Sequence, residues 1–500
     1  MGDNNMKEKT THPFFTYASR FTLGSMIYSI CYWAKGISFD SQSDTFGFSG
    51  EANYTINFDN KPLTVKCTIV QTWLIDMLYL IICKCRNGKK EIEKAESLHL
   101  INLYNDYADK LDAEYLKDDD DAILYVMGFF GEQGRMQGPS IFFEEFSREK
   151  YILEEISHRV PSEKSFGLDI KKEFYNETHY TTDEYSALLL LIWSLFSKTM
   201  LVVNQKELDR IVKYTNPILS NENVMDVITK NSITIEEIRN SPLGRQVFYS
   251  KPIIKLGDDY IASNPYLLLA LFTNSNYWVL RNKYRALNSQ NFTNAFGYYY
   301  EIYLQEVLSN CLTKDCFQRI EEDLNEKRAD WYIKLGNYDF FVEQKSSLSL
   351  LGIKHSHPDV KAMKKYMIDN WGEAIQQLNT TQKFYNKQNA IKIILVYEDY
   401  YKSKCLDELF RLHPELGNDN HFWLISINEF ETLLQLCKSN PEMALQIIQE
   451  KDNIETKTSR NHNERELKQL FFKYNIEHNL YLREQGIYEQ EFEGIRDMCH

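Results

Sequence analysis

The order of elements changes near residue 290, and that change limits the fold more than any other feature of the chain. From there on, helical periodicity and short apolar runs alternate. A helix is expected at Phe296 to Leu308, strands at Asp330 to Ile333 and Asp339 to Gln344, and a long helix from about Asp359 to Lys387. The apolar strand Ile391 to Tyr397, a helix near Cys405 to Leu412, the strand Phe422 to Ile427 and a helix from Asn428 to Leu436 follow. Alternation of this kind predicts an α/β unit, a sheet flanked by helices.

Upstream the pattern is different. Residues 1–12 are polar and read as a disordered tail, and residues 13–290 as a mainly α-helical region with small hairpins. Helices are predicted over Phe14 to Trp33, Thr72 to Cys85, Ala95 to Ala113 and Tyr185 to Val203, the last opened by a T-x-x-E capping pattern at Thr181 to Glu184. Alternating apolar residues on either side of Asp59 to Pro62, and again around Gly257-Asp258, predict two hairpins, and Asn264-Pro265 predicts a helix start. The chain thus divides into a recognition or sensing region at 13–290, an α/β domain at 291–440 and a charged helical extension at 441–500.

Composition sets the chemistry these units can perform. The formal net charge is −14 over 500 residues, which argues against coating nucleic acid with a basic surface. It leaves open an enzyme that binds phosphate through local clusters and through metal held on carboxylates. Nine cysteines form no zinc-binding pattern, no stretch approaches bilayer length, and a cytoplasmic protein without membrane contact is expected.

The segment richest in chemistry runs from Arg328 to Lys345. Two strands flank Gly336-Asn337; if those residues form the hairpin loop, Leu335 pairs with Tyr338 and Asp330 lies opposite Glu343. Strand alternation then places Lys345 on the same face as Glu343, with Gln344 pointing away. Two carboxylates so close repel one another unless a cation lies between them. With no His or Cys beside them, hard oxygen ligands favour Mg²⁺ or Mn²⁺, ions that bind through one or two carboxylates plus substrate phosphate. The arrangement predicts phosphodiester chemistry, with Lys345 orienting the attacking water.

These residues resemble the PD-(D/E)XK nuclease superfamily: Asp330 and Glu343-Gln344-Lys345 match its D…E-x-K core, with Ala329 where the motif has Pro. Gly297 to Glu301 looks like the G-x-x-x-E start of the family's first core helix, and the resemblance covers about residues 291–437. It implies a restriction-endonuclease-like αβββαβ fold, Mg²⁺ (or Mn²⁺) on Asp330, Glu343 and the Gln344 carbonyl, assistance from Glu301, and DNA cleavage leaving a 5′-phosphate and a 3′-hydroxyl. Two other E-x-K tripeptides, at Glu455 and Glu466, lie in a polar linker and on a charged helix and lack that setting.

Lys354, Lys361, Lys364 and Lys365, with Lys383 and Lys387, make the segment after the catalytic strand locally basic, suited to a phosphate backbone. His355 and His357 lie in the same segment, and Gln377 and Gln382 resemble supporting glutamines on the helices of some superfamily members. A nuclease joined to a large sensing region is similar in plan to bacterial restriction or anti-phage defence proteins, with a homodimer or a companion protein as partner. DNA is favoured over RNA. An RNA or tRNA nuclease with the same site, or a nuclease-like adaptor that only binds nucleic acid or protein, are the alternatives.

Overall fold

The computed structural model describes residues 12–38, 49–58, 61–116, 122–128, 131, 140–211, 216–321, 326–348, 359–401, 403–456 and 465–499. The chain is a mixed α/β protein, mainly helical, with three sheets. The first is the two-stranded antiparallel hairpin β1 (Ser49–Phe58) and β2 (Lys61–Val70). The second joins β3 (Val202–Val203), β6 (Asp259–Ala262), β5 (Ile253–Leu256) and β4 (Ser232–Thr234), in that order.

The third sheet carries Glu343 and Lys345. Its strands β7 (Phe317–Arg319), β8 (Trp331–Leu335), β9 (Tyr338–Lys345), β10 (Ile391–Val396) and β11 (Phe422–Ser426) lie in the order β11-β10-β9-β8-β7. The β7, β8 and β9 neighbours are antiparallel, whereas β9, β10 and β11 run parallel. Helix Asn291–Cys311 precedes the sheet, a helical segment from Val360 to Tyr385 links β9 to β10, and helix Ser403–Leu412 links β10 to β11. Parallel strands need such crossovers.

Alternation along the strands divides the core. Phe341, Ile394, Val396 and Leu424 share a cluster with Met363, Met367, Trp371, Ile375 and Leu378 of the linking helices. Val342, Ile393, Leu395 and Ile425 point the other way and share the larger core with Tyr299, Tyr300 and Leu304 of the first helix and Phe430 and Leu433 of helix Ile427–Ser439. A strand covered on both faces must be apolar throughout, which explains why all six residues of β10 are buried. The larger core runs without interruption from Phe14 to Ile495, so all three stretches of the chain contribute to it.

Several expectations need correction. The helix expected over Phe14 to Trp33 is two helices, Pro13–Ala18 and Leu23–Ser38, because the chain between them turns to bond Lys90: Thr22 N–H donates to the Lys90 carbonyl at 2.8 Å. His12 is no tail residue; its side chain caps Phe14 N–H. The helix expected to reach Val203 ends at Ser194, passes through a π-helical turn at Leu195–Thr199 and yields Val202 and Val203 to the edge of a sheet. The segment from Val360 to Tyr385 is likewise interrupted by a π turn, Ile368–Gly372. No segment was assigned to β4, or to β7, the third strand that the αβββαβ order implies. The Thr181/Glu184 capping box, the N-cap at Asn264 and both hairpins are present. No described helix is long and apolar enough to cross a membrane.

The turn between β8 and β9 requires its glycine. Gly336 has φ +57°, as the first central residue of a II′-type hairpin turn does, and a Cβ there would stand 2.9 Å from Leu445 Cδ2. Gly336→Ala is expected to destabilise the protein by about 1–2 kcal/mol through the left-handed backbone alone, read as a lower denaturation midpoint in urea with an unchanged slope.

Candidate active site

Asp330 stands directly before β8. Its N–H donates to the carbonyl of Val342, the residue already paired with Trp331, at 3.0 Å, and its carbonyl accepts from Ile320 N–H at 2.9 Å, so the chain bulges at Asp330 as it enters β8. With Trp331 paired to Val342 and Leu335 to Tyr338, the register of the two strands is the one the Gly336-Asn337 turn predicted. Glu343 and Lys345 lie on the face covered by helix Glu373–Tyr385, where Gln377 accepts from Lys345. Gln344 turns to the opposite face, where its Oε1 accepts from Trp331 Nε1 at 3.4 Å.

Hydrogen bonds fix the group. Gln344 N–H donates to Asp330 Oδ2 at 2.8 Å, binding the first acid to the strand of the second. Lys345 Nζ donates to Glu343 Oε1 at 2.8 Å and to Gln377 Oε1 at 3.4 Å. Thr381, one turn beyond Gln377, accepts from Ala329 N–H at 2.8 Å and ties the helix to the residue before Asp330. Glu343 Oε2 is buried and has no hydrogen-bond partner among the described residues.

Electrostatics follow from burial. Glu343 is 3% exposed, and burial first, then the neighbouring Asp330 charge, push its carboxyl up to about 8 against the pull of the Lys345 ammonium. Burial raises Asp330 to about 6, with the Gln344 N–H and Lys345 opposing it. Burial and mutual repulsion thus raise both carboxyls and disfavour the doubly ionised pair.

This has a measurable consequence. Both groups bind protons more tightly in the folded chain than in the unfolded one, where carboxyls titrate near 4. The folded state therefore carries the extra protons between about pH 4 and 8, and these acids make the metal-free protein less stable as pH rises through that window. Glu343→Gln keeps the shape and removes that titration. In EDTA, the variant is expected to gain stability over wild type from pH 5 to pH 8, with Mg²⁺ restoring wild type at pH 8. Urea denaturation at the two pH values checks it, and a difference independent of pH would contradict it.

A divalent ion fits the pair. Two carboxylates that cannot both ionise unaided, one of them with an unpartnered buried oxygen, are the donor set that Mg²⁺ or Mn²⁺ shares with substrate phosphate. Glu301 does not complete a third side. Its carboxylate makes a 2.6 Å ion pair with Arg319 Nη1 on β7, although it is near enough to raise Asp330. Among the described residues no group of three or more His, Cys, Asp or Glu is placed to hold a metal ion. The expected metal-binding role of Glu301 thus requires release from Arg319.

The outer residues separate. Gln377 reaches the site, but Gln382 does not: its Nε2 donates to the Gln388 carbonyl at 2.9 Å and its Oε1 accepts from Lys392 Nζ at 3.2 Å. Five residues along a helix turn a side chain through roughly 140°, and Lys392 lies at the far end of β10 from Val396, the partner of Lys345. Lys361 and Lys365 are exposed and Lys364 is half-buried on the helix Val360–Met367; Lys365 pairs with Asp369 at 2.6 Å. Lys387 pairs with Asp339 at 3.1 Å. Lys354, His355 and His357 lie outside the described residues, as do residues 1–11. Sequence reasoning missed Arg319 and Thr381, since neither belongs to a motif and each acts through a partner distant along the chain. No protein-family model, curated protein or solved structure matches this chain.

Proposed function

We propose that the chain is a metal-dependent nuclease whose residues 291–440 form a PD-(D/E)XK, restriction-endonuclease-like domain. The observation that carries this reading is the placement of Asp330, held to β9 by the Gln344 N–H at 2.8 Å, beside buried Glu343, with Lys345 Nζ 2.8 Å from Glu343. The order of elements, a helix, three antiparallel strands, a helical crossover and a parallel strand, supports it.

Asp330 and Glu343 would hold Mg²⁺ or Mn²⁺, with the Gln344 carbonyl as a further ligand by resemblance. A divalent ion supplies Lewis-acid polarisation of the phosphate and a bound water of lowered pKa. Full ionisation of the pair, which burial disfavours, would prepare it for the cation. Lys345 then holds Glu343 on one side and orients the attacking water on the other, while the Gln377 amide oxygen restrains the ammonium. Lys361 and Lys365 offer two exposed cations on one helix to the backbone of a nucleic acid.

DNA is the substrate proposed. Supercoiled plasmid and total RNA, incubated with the full chain in Mg²⁺, Mn²⁺ or EDTA, test it. Plasmid nicking or linearisation that needs the metal supports the reading, cleavage of RNA alone moves it to an RNA nuclease, and binding without cleavage under every condition leaves an adaptor. Because Arg319 holds Glu301, Glu301→Gln is expected to lower the rate less than tenfold, roughly the scale of one weak electrostatic contact, against a far larger loss for Glu343→Gln in the same assay.

A further inference from the structure

A cavity of about 810 Å³ lies between the helices of the N-terminal region and the segment that follows the catalytic strand. Its size is that of a small-molecule site. Trp278, Arg281 and Arg285 line it from one helix, Ser275–Ala286, at positions that share a face. Tyr249 and Lys251 line it as well, and the Tyr249 hydroxyl is buried with no hydrogen-bond partner among the described residues.

The charge of this lining is opposite to that of the protein. Four cations, Lys230 and Lys251 with the two arginines, meet a single acid, Asp359, in a chain of net charge −14. Asp359 is occupied in capping Ala362 N–H at 3.0 Å, and Lys230 is paired with Asp226 at 2.8 Å. Lys251, Arg281 and Arg285 make no ion pair with a carboxylate among the described residues. Guanidinium groups without a carboxylate partner, beside an indole and a phenol, form a donor set for phosphate next to a platform for a flat ring.

We propose that this cavity binds a free nucleoside phosphate, its base on Trp278 and Tyr249 and its phosphate on Arg281, Arg285 and Lys251, and that occupancy adjusts the carboxylate site. The route for that coupling is the shared wall. Leu348, shortly after Lys345, lines the cavity, and so do Asp359 and Ala362 at the start of the helical segment whose later turns carry Gln377. A ligand that prefers one placement of that segment must shift the site with it. The binding half stands alone; the coupling half rests on the nuclease reading.

The full chain is titrated with ATP, AMP, adenosine, inorganic phosphate and an eight-residue oligothymidylate, with heat and tryptophan fluorescence as readouts. ATP or AMP is expected to bind saturably, with adenosine and phosphate each weaker by roughly tenfold or more. Arg285→Glu, at an exposed position, and Arg281→Lys are expected to weaken binding with the ligand-free melting temperature unchanged. Lack of binding by either nucleotide, equal binding of adenosine, or tighter binding of the oligonucleotide at the same arginines would overturn the assignment. Saturating nucleotide is expected to change the Mn²⁺ affinity of the carboxylate pair by about fivefold or more, and no change would overturn the coupling. Because nucleotide binding is also read on Lys345→Ala, a chain that binds nucleotide but never cleaves condemns the nuclease reading alone, and one that cleaves but binds no nucleotide condemns only this inference.

Discussion

Lys345→Ala is expected to lower metal-dependent plasmid cleavage by about 10²- to 10⁴-fold, the range for loss of a positioned proton-transfer or charge-stabilising group. The ammonium has two roles in the structure. It restrains Glu343 through the 2.8 Å bond to Oε1, and it is placed to meet water or the developing charge next to the acid pair. Removing it also deprives buried Glu343 of the charge that favours its ionised form, so the pair binds its proton more tightly and metal less readily. Single-turnover rates across a Mg²⁺ series separate the two effects: a rate deficit that persists at saturating Mg²⁺ belongs to the water, and a shift of the half-saturating concentration belongs to Glu343. Gln377→Ala, acting through Lys345, is expected to shift the second more than the first. Undiminished cleavage by Lys345→Ala would remove the lysine from the mechanism.

The second large effect is on stability. Arg148→Ala is expected to cost about 3–5 kcal/mol, the range for leaving one member of a buried ion pair without the other. Arg148 is 1% exposed and forks onto Glu431 with bonds of 2.7 and 2.6 Å, while Asn428 accepts a third at 2.8 Å. Tyr303 donates to the same Glu431 at 2.5 Å, and Asn479 donates to it as well. The network thus ties helix Ser140–Tyr151, helix Asn291–Cys311, helix Ile427–Ser439 and the C-terminal helices into one core. Arg148→Met with Glu431→Leu removes both charges and is expected to recover most of the loss. Urea denaturation of the two variants checks it; equal destabilisation by single and double changes would contradict it.

What could be read from the chain and what could not divides along physical lines. The β8–β9 register was legible because a Gly-Asn turn sets the pairing locally and each further residue follows by alternation. The helix caps at Thr181 and Asn264 were legible because a cap is decided within four residues. The Arg148–Glu431 pair was not, since its members lie 283 residues apart and no local period marks either. Strands β3, β4 and β7, of two or three residues, are too short for alternation to register. For that reason Arg319 went unseen, and Glu301 was expected at the metal rather than in an ion pair. The two glutamines of the linking helix looked equivalent in sequence; only the fold shows that one faces Lys345 and the other Lys392.

The account stands on the acid pair as a cation site, and Mn²⁺ binding to the full chain, followed by electron paramagnetic resonance and calorimetry at pH 7, tests that most directly. Binding that releases protons, because Glu343 holds one until the ion arrives, and that is lost in both Asp330→Asn and Glu343→Gln, is the predicted result. Absence of binding, or binding that survives both substitutions, would contradict it.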